Sequence, residues 1–331
     1  MARSFQNVGV QFGVEATKGT SVAANKRLLG FMVNPQPAIE KTQFKPSGSR
    51  VNTVDQVISE KTEADFEGPI DYNTIVYPLS SMFGKVTPVA QSAPNAAAKD
   101  WTWNFTGRGD TNAQTYTVEV GDATSAMKFT YGTFTGAELS ISRTDDNTIS
   151  GAMLGQQLQT GQTLTATPTE IDIVPVAASS WDVYVDTTSA AIGTTKLPSL
   201  YEAGLNFSDF FSEEYTVDST KPSFASLFDA EEPTYESSMM VAADATGLAY
   251  ITAARNAEKR FIRFVSQGAI IPSASASKYT IQIDMCVGIT EIDSIENDDG
   301  KYVINVNFGL MYDSTWAKAM SIKVTNGLTT L

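Results

Sequence analysis

Hydrophobic residues fall on alternate positions in two long stretches of this chain of 331 residues. From 127 to 156, Phe129, Tyr131, Thr133, Ala137, Leu139 and Ile141 alternate with their neighbours, Asp145, Asp146 and Asn147 interrupt, and the run continues from Ile149 to Gly155. From 279 to 310 the plan recurs. Ile281, Ile283, Met285, Val287 and Ile289 alternate, Asp298, Asp299 and Gly300 interrupt, and Tyr302, Ile304, Val306, Phe308 and Leu310 alternate back. A period of two predicts a strand with one buried and one wet face. Asp with Gly or Asn between two such runs predicts a hairpin, so each half is expected to carry one long hairpin.

Shorter alternations predict strands at Val8, Val10 and Phe12, at Trp101, Trp103 and Phe105, at Tyr116, Val118 and Val120, and at Val183 and Val185. The aromatic run at 101–105 reads as core. Ile75, Val76, Leu79, Met82 and Phe83 have helical spacing, with Asp71 or Asn73 to cap the start and Gly84 to stop it, although Pro78 falls in the first turn. DATGLAYITAARN predicts a second helix, capped by Asp244 or Thr246. An offset of 173 residues carries Val10 and Phe12 onto Val183 and Val185, Asp71 onto Asp244 and Tyr77 onto Tyr250. At Gly136 and Gly288 the offset becomes 152, which asks for an insertion in the first half of roughly the size of residues 85–115 and leaves the Tyr116 strand without a counterpart. The expected organisation is mainly β and internally duplicated: residues 1–160, a Thr-, Ala- and Pro-rich linker at 161–180 with one edge strand, and residues 181–331. Each half carries one short helix, and residues 40–60 and 212–229 are read as long loops.

Composition narrows the function. Apolar residues make up 42% of the chain, enough for ordinary cores. With 23 basic and 37 acidic residues the net charge is −14, which argues against a surface that neutralises nucleic-acid phosphates. Cys286 is the one cysteine, so no intramolecular disulfide forms. Residues 1–19 contain no apolar signal-peptide core, and no uncharged apolar run approaches membrane-spanning length. There is no histidine, and no phosphate loop, dinucleotide fingerprint or nucleophile elbow. The expectation is therefore no catalytic residue, no cofactor and no metal. The pairs Glu213–Glu214 and Glu231–Glu232 would serve a glycosidase but read as solvated loops. EIDSIENDDGKY lacks calcium-loop spacing and reads as a hairpin turn. Arg108, Gly109 and Asp110 form an integrin-type tripeptide, read as a loop, and the sequons at Asn104 and Asn206 read as chance matches.

The runs GVEATKGTSVAANKRLLG, KTQFKPSGSR and EGPIDYNTIVYPLSSMFG, with the closing YDSTWAKAMSIKVTNGLTTL, resemble the major tail tube proteins of long-tailed bacteriophages. The resemblance extends over most of the chain but rests on compositional patterns rather than an invariant signature. It implies two tandem β-sandwich or barrel domains of tail-tube type, each flanked by a short helix, whose rings stack into a conduit for DNA, assembled in the bacterial host cytoplasm and ending in the virion tail. With one domain per sixth of a ring, a duplicated chain would close as a trimer, against the hexamer of a single-domain subunit. Implied partners are the chain itself, a tape measure protein and tail terminator or tip proteins. Double-stranded DNA would pass an acidic lumen without specific binding. The resemblance also gives the two long loops a contact role between rings or subunits, through Phe44, Lys45, Arg50, Val54 and Val57 in the first and Tyr215, Lys221, Phe224 and Phe228 in the second. Competing readings are a β-sandwich binding or adhesion module, another virion ring protein such as a tail hub, and an enzyme using carboxylates on a β scaffold.

Overall fold

The computed structural model describes residues 8–107, 112–217 and 223–331. It is mainly β, with twenty-one strands and two α-helices among the described residues. The first half runs β1 (Gly9–Val14), β2 (Lys26–Leu28), β3 (Met32–Phe44), β4 (Val54–Pro69), α1 (Val76–Met82), β5 (Val89–Ala90), β6 (Lys99–Phe105), β7 (Tyr116–Gly121), β8 (Ala126–Ser142), β9 (Thr148–Gly155), β10 (Gln159–Gln162) and β11 (Thr169–Ile171). The second runs β12 (Trp181–Asp186), β13 (Leu200–Ser208), β14 (Phe211–Glu214), β15 (Ser226–Asp229), β16 (Thr234–Ala242), α2 (Ala245–Arg255), β17 (Lys259–Ile270), β18 (Lys278–Ile292), β19 (Glu296–Asp298), β20 (Lys301–Leu310) and β21 (Met320–Asn326).

A wide antiparallel sheet has the order β3–β4–β9–β8–β13–β16–β20–β18. Two flanking sheets, β11–β2–β1–β7–β8–β10 and β12–β17–β18–β21–β6–β5, join it through the long strands β8 and β18. Each of these strands shifts register against its hairpin partner, between Phe134 and Gly136 and between Ile289 and Glu291. An extra residue at such a bulge bends the strand, so one strand can serve two sheets. The pairing β1–β7–β8–β10 in the first half has the same connectivity as β12–β17–β18–β21 in the second. Core aromatics fill the space behind the wide sheet. Phe134 of β8 stacks on Phe12 of β1 at 5.9 Å and meets Phe66 of β4 edge-on at 4.8 Å, while Tyr250 of α2 meets Phe308 of β20 at 6.1 Å.

Both long hairpins form. In the second, Asp299 and Gly300 have φ of 49° and 85°, the left-handed pair that a two-residue hairpin turn requires. Asp244 caps α2 by accepting from the N–H groups of Thr246 and Gly247 at 2.8 and 3.0 Å. At α1 the expected cap differs, because the N-cap position before Val76 is Ile75, which has no side-chain cap. The carboxylate of Asp71 instead accepts from Asn73 and Thr74 N–H, both at 2.8 Å, one turn earlier, and its other oxygen accepts from Val174.

Four further expectations change. Residues 40–60 are mostly the arms of the β3–β4 hairpin, which pair as far as Phe44 with Val54. The bulges align Phe134 with Ile289, an offset of 155 rather than 152. β7 has a counterpart by pairing, β17, whose Lys259, Arg260 and Arg263 hid it from a search for hydrophobic alternation. Its charges are answered locally, above all by Asp284, whose oxygens receive Arg263 at 2.6 and 2.8 Å. Finally, residues 161–180 hold the expected edge strand, β11, but it runs parallel to β2 and so ties the segment into the first flanking sheet. Within 85–115, β6 pairs with β21 and so extends the second half's flanking sheet.

Candidate assembly surfaces

The β3–β4 hairpin is longer than the sheet that supports it. β9 pairs with β4 only from Thr62 to Pro69, so the outer arms project as a two-stranded ribbon. With no layer covering either face, nothing selects for alternation there. Apolar side chains nevertheless populate both faces. Phe44 and Val54 pair on one face, 50% and 54% exposed, and Ile39 and Val57 lie on the other, 45% and 52% exposed. Lys45 and Arg50 stand exposed at the turn and make no ion pair among the described residues. The five residues predicted for the first contact segment, Phe44, Lys45, Arg50, Val54 and Val57, are therefore gathered on this ribbon.

The second predicted segment behaves differently. β14 and β15 form a separate hairpin that folds back onto the first half. Phe224 is fully buried, its ring 5.2 Å from that of Tyr131, which corrects its assignment as an outward contact residue. Ser223 Oγ donates to the Glu60 carbonyl at 2.6 Å, Gln156 Nε2 to the Phe224 carbonyl at 3.0 Å, and Leu227 N–H to the Tyr131 hydroxyl at 3.3 Å. Lys61 binds Glu213 at 2.7 Å and Glu63 at 3.0 Å. Burial alone would pull the Lys61 ammonium down, but its bonds to these two carboxylates outweigh that and raise it. Tyr215 and Phe228 remain about half exposed. Lys221 lies outside the described residues, as do Arg108, Gly109 and Asp110.

A residue with no sequence signal organises this docking. Glu15, 3% exposed, accepts from Gly19 N–H at 2.7 Å, Thr115 Oγ1 at 2.7 Å, Thr117 Oγ1 at 3.0 Å and Tyr131 N–H at 3.0 Å. It thereby holds Tyr131 at a left-handed φ of 58°, costly for an aromatic residue, and Tyr131 in turn receives Phe224.

Two strand edges of the wide sheet are open among the described residues. One is the outer edge of β3, and the other is the far edge of β18 beyond Gly288 together with β19. Their counterparts within the chain are joined, since β8 pairs with β13 from Ala137–Phe207 to Ser142–Glu202. Side chains register the difference. Leu139 is 1% exposed against β13, whereas Ile295, in the connection between β18 and β19 that lies along β20 as β8 lies along β9, is 51% exposed. Pro35 and Pro37 deprive the β3 edge of two N–H donors, a feature that restricts indiscriminate strand pairing.

No family model matches the sequence, and no curated protein sequence matches it.

The outward face of the wide sheet is acidic. Glu67, Ser150, Glu138, Asn206 and Glu236 are successive cross-strand neighbours from β4 to β16. Two shallow cavities of about 550 and 310 Å³ on this face contain Asp65, Glu67, Glu138, Asp209, Glu236 and Glu291 and no Lys or Arg. Among the described residues no group of three or more acidic or cysteine side chains is arranged to hold a metal ion. Among the described residues no helix is long and apolar enough to cross a membrane. Glu213 of the first candidate carboxylate pair is engaged by Lys61, and Glu296, Asp298 and Asp299 occupy the β19–β20 strand and turn.

Proposed function

We propose that this chain is a ring-forming structural subunit of a phage tail tube, built from two tandem tail-tube-type β domains. The observation that supports this most is the β8–β13 junction beside two open edges of matching position. A chain that already joins its first repeat to its second by strand pairing can join its second repeat to the first repeat of a neighbour in the same way. Head-to-tail pairing of β18 and β19 with the next chain's β3 repeats the internal junction, and when the rotation closes it removes every open edge of the wide sheet. With one-sixth of a turn per repeat, three chains close a ring of pseudo-sixfold symmetry.

In that ring the acidic face lines the lumen, and its carboxylates repel DNA phosphates so that the duplex passes without residence. The ribbon carries the contact between stacked rings, through Phe44, Lys45, Arg50, Val54 and Val57. Tape measure and terminator or tip proteins would set the length and ends, and the assembled protein belongs in the virion tail. Light-scattering mass and negative-stain electron microscopy across a concentration series test the reading. Rings of three chains, alone or stacked as hollow filaments, are expected. A monomer at every concentration would overturn it in favour of a binding module, and rings of six chains would overturn the duplication argument alone.

A further inference from the structure

Strand directions place the ribbon and one acidic turn at opposite ends of the wide sheet. Glu67 of β4 and Gly309 of β20 belong to one cross-strand row, which runs through Ser150, Glu138, Asn206 and Glu236. From that row the ribbon extends one way, through Val54, and β20 runs back the other way, to its turn at Asp298–Lys301. The two ends are complementary in charge. Residues 45–53 hold Lys45 and Arg50 and no carboxylate, whereas residues 296–301 hold Glu296, Asp298 and Asp299 against the single cation Lys301, whose Nζ lies over the Tyr201 ring at 4.9 Å. Each end also exposes apolar surface, Phe44, Val51 and Val54 at 50–67% on the ribbon and Tyr302 at 75% beside the turn.

Resting on the ring reading above, we infer that the receptor for the ribbon tip is the β19–β20 turn of a second copy of this chain in the adjacent ring. A basic end meeting an acidic end is a heterologous contact, which repeats without closing and so builds a filament of one polarity. The β8–β9 turn at the same end is a poorer receptor, because it sets two carboxylates, Asp145 and Asp146, against exposed Arg143, where the β19–β20 turn sets three against Lys301. Only the first repeat carries the long ribbon, and the acidic β19–β20 turn belongs to the second. Successive rings therefore lock at steps of one chain rather than one repeat.

Charge reversal tests this with the full-length protein. Lys45→Glu with Arg50→Glu, and separately Asp298→Lys with Asp299→Lys, should each raise the critical concentration for filament growth about tenfold or more while rings persist. All four changes together should bring it back to within about threefold of the original. Raising salt should shorten the original filaments into rings, since exposed charges are screened within about 8 Å at physiological ionic strength. Unchanged stacking in either double variant, or no recovery in the quadruple variant, overturns the docking assignment and leaves the rings standing. Absence of rings from the unsubstituted protein overturns the ring reading, and the docking assignment with it.

Discussion

The sharpest test of the assembly reading compares Leu139, at the internal junction, with Ile295, at the open edge of the second half. Leu139 is already buried against β13, 1% exposed, so Leu139→Ala should cost about 2–5 kcal/mol of chain stability, as truncation in a packed core does. Ile295 is 51% exposed in the isolated chain, so Ile295→Ala should leave folding within about 0.5 kcal/mol. Its effect belongs to the ring. Full burial of an isoleucine is worth about 1.5–3 kcal/mol, so covering the exposed half contributes about 1 kcal/mol per junction. Three junctions in a closed ring make that about 3 kcal/mol, or roughly a hundredfold weaker assembly constant. The prolines of β3 limit the hydrogen bonds this junction can form, which leaves side-chain burial as its main support. Thermal unfolding of dilute protein and light-scattering mass across a dilution series separate the two effects. An Ile295→Ala protein that assembles like the original, or that loses chain stability as Leu139→Ala does, would refute the equivalence of the two junctions.

Phe224→Ala should cost about 3–5 kcal/mol and free the β14–β15 hairpin, seen as faster amide exchange in residues 223–229 than in β13 and β16; exchange unchanged there would contradict the docking role. For Asp71, burial raises the carboxyl above its ordinary value against N–H bonds from Thr74, Asn73 and Val174 that lower it. A raised folded pKa gives stability that is complete below the unfolded value, about 3.8, and lost as pH rises through the folded one. The stability of the original relative to Asp71→Asn should therefore fall as pH rises above about 3.8, and parallel pH profiles would show the carboxyl unperturbed. Glu138→Lys with Glu236→Lys should leave rings intact and make the tubes retain duplex DNA at low salt, measured by co-sedimentation; retention by the unsubstituted tubes would argue against an acidic conduit.

Sequence pattern determined this protein wherever one face of an element is buried and the other wet. The long hairpins, the aromatic strand at Trp101 and Trp103, and α2 with its Asp244 cap were all legible, because period and turn chemistry are local properties. The exposed apolar segment from Phe44 to Val57 was legible as residues, since Phe44, Val54 and Val57 are conspicuous without a core to enter. Its form was not, because a ribbon exposed on both faces carries no alternation. β17 was hidden by its cations, of which Arg263 finds its partner, Asp284, on another strand. Phe224 and Glu15 show the same limit, since burial of Phe224 against Tyr131, and three of the four donors converging on Glu15, depend on residues some 90 to 116 positions away. Strand order was decided only by tertiary structure: which edges meet, which stay open, and which carboxylates share a face. Those properties depend on the pairing of distant segments, and a linear pattern does not encode them.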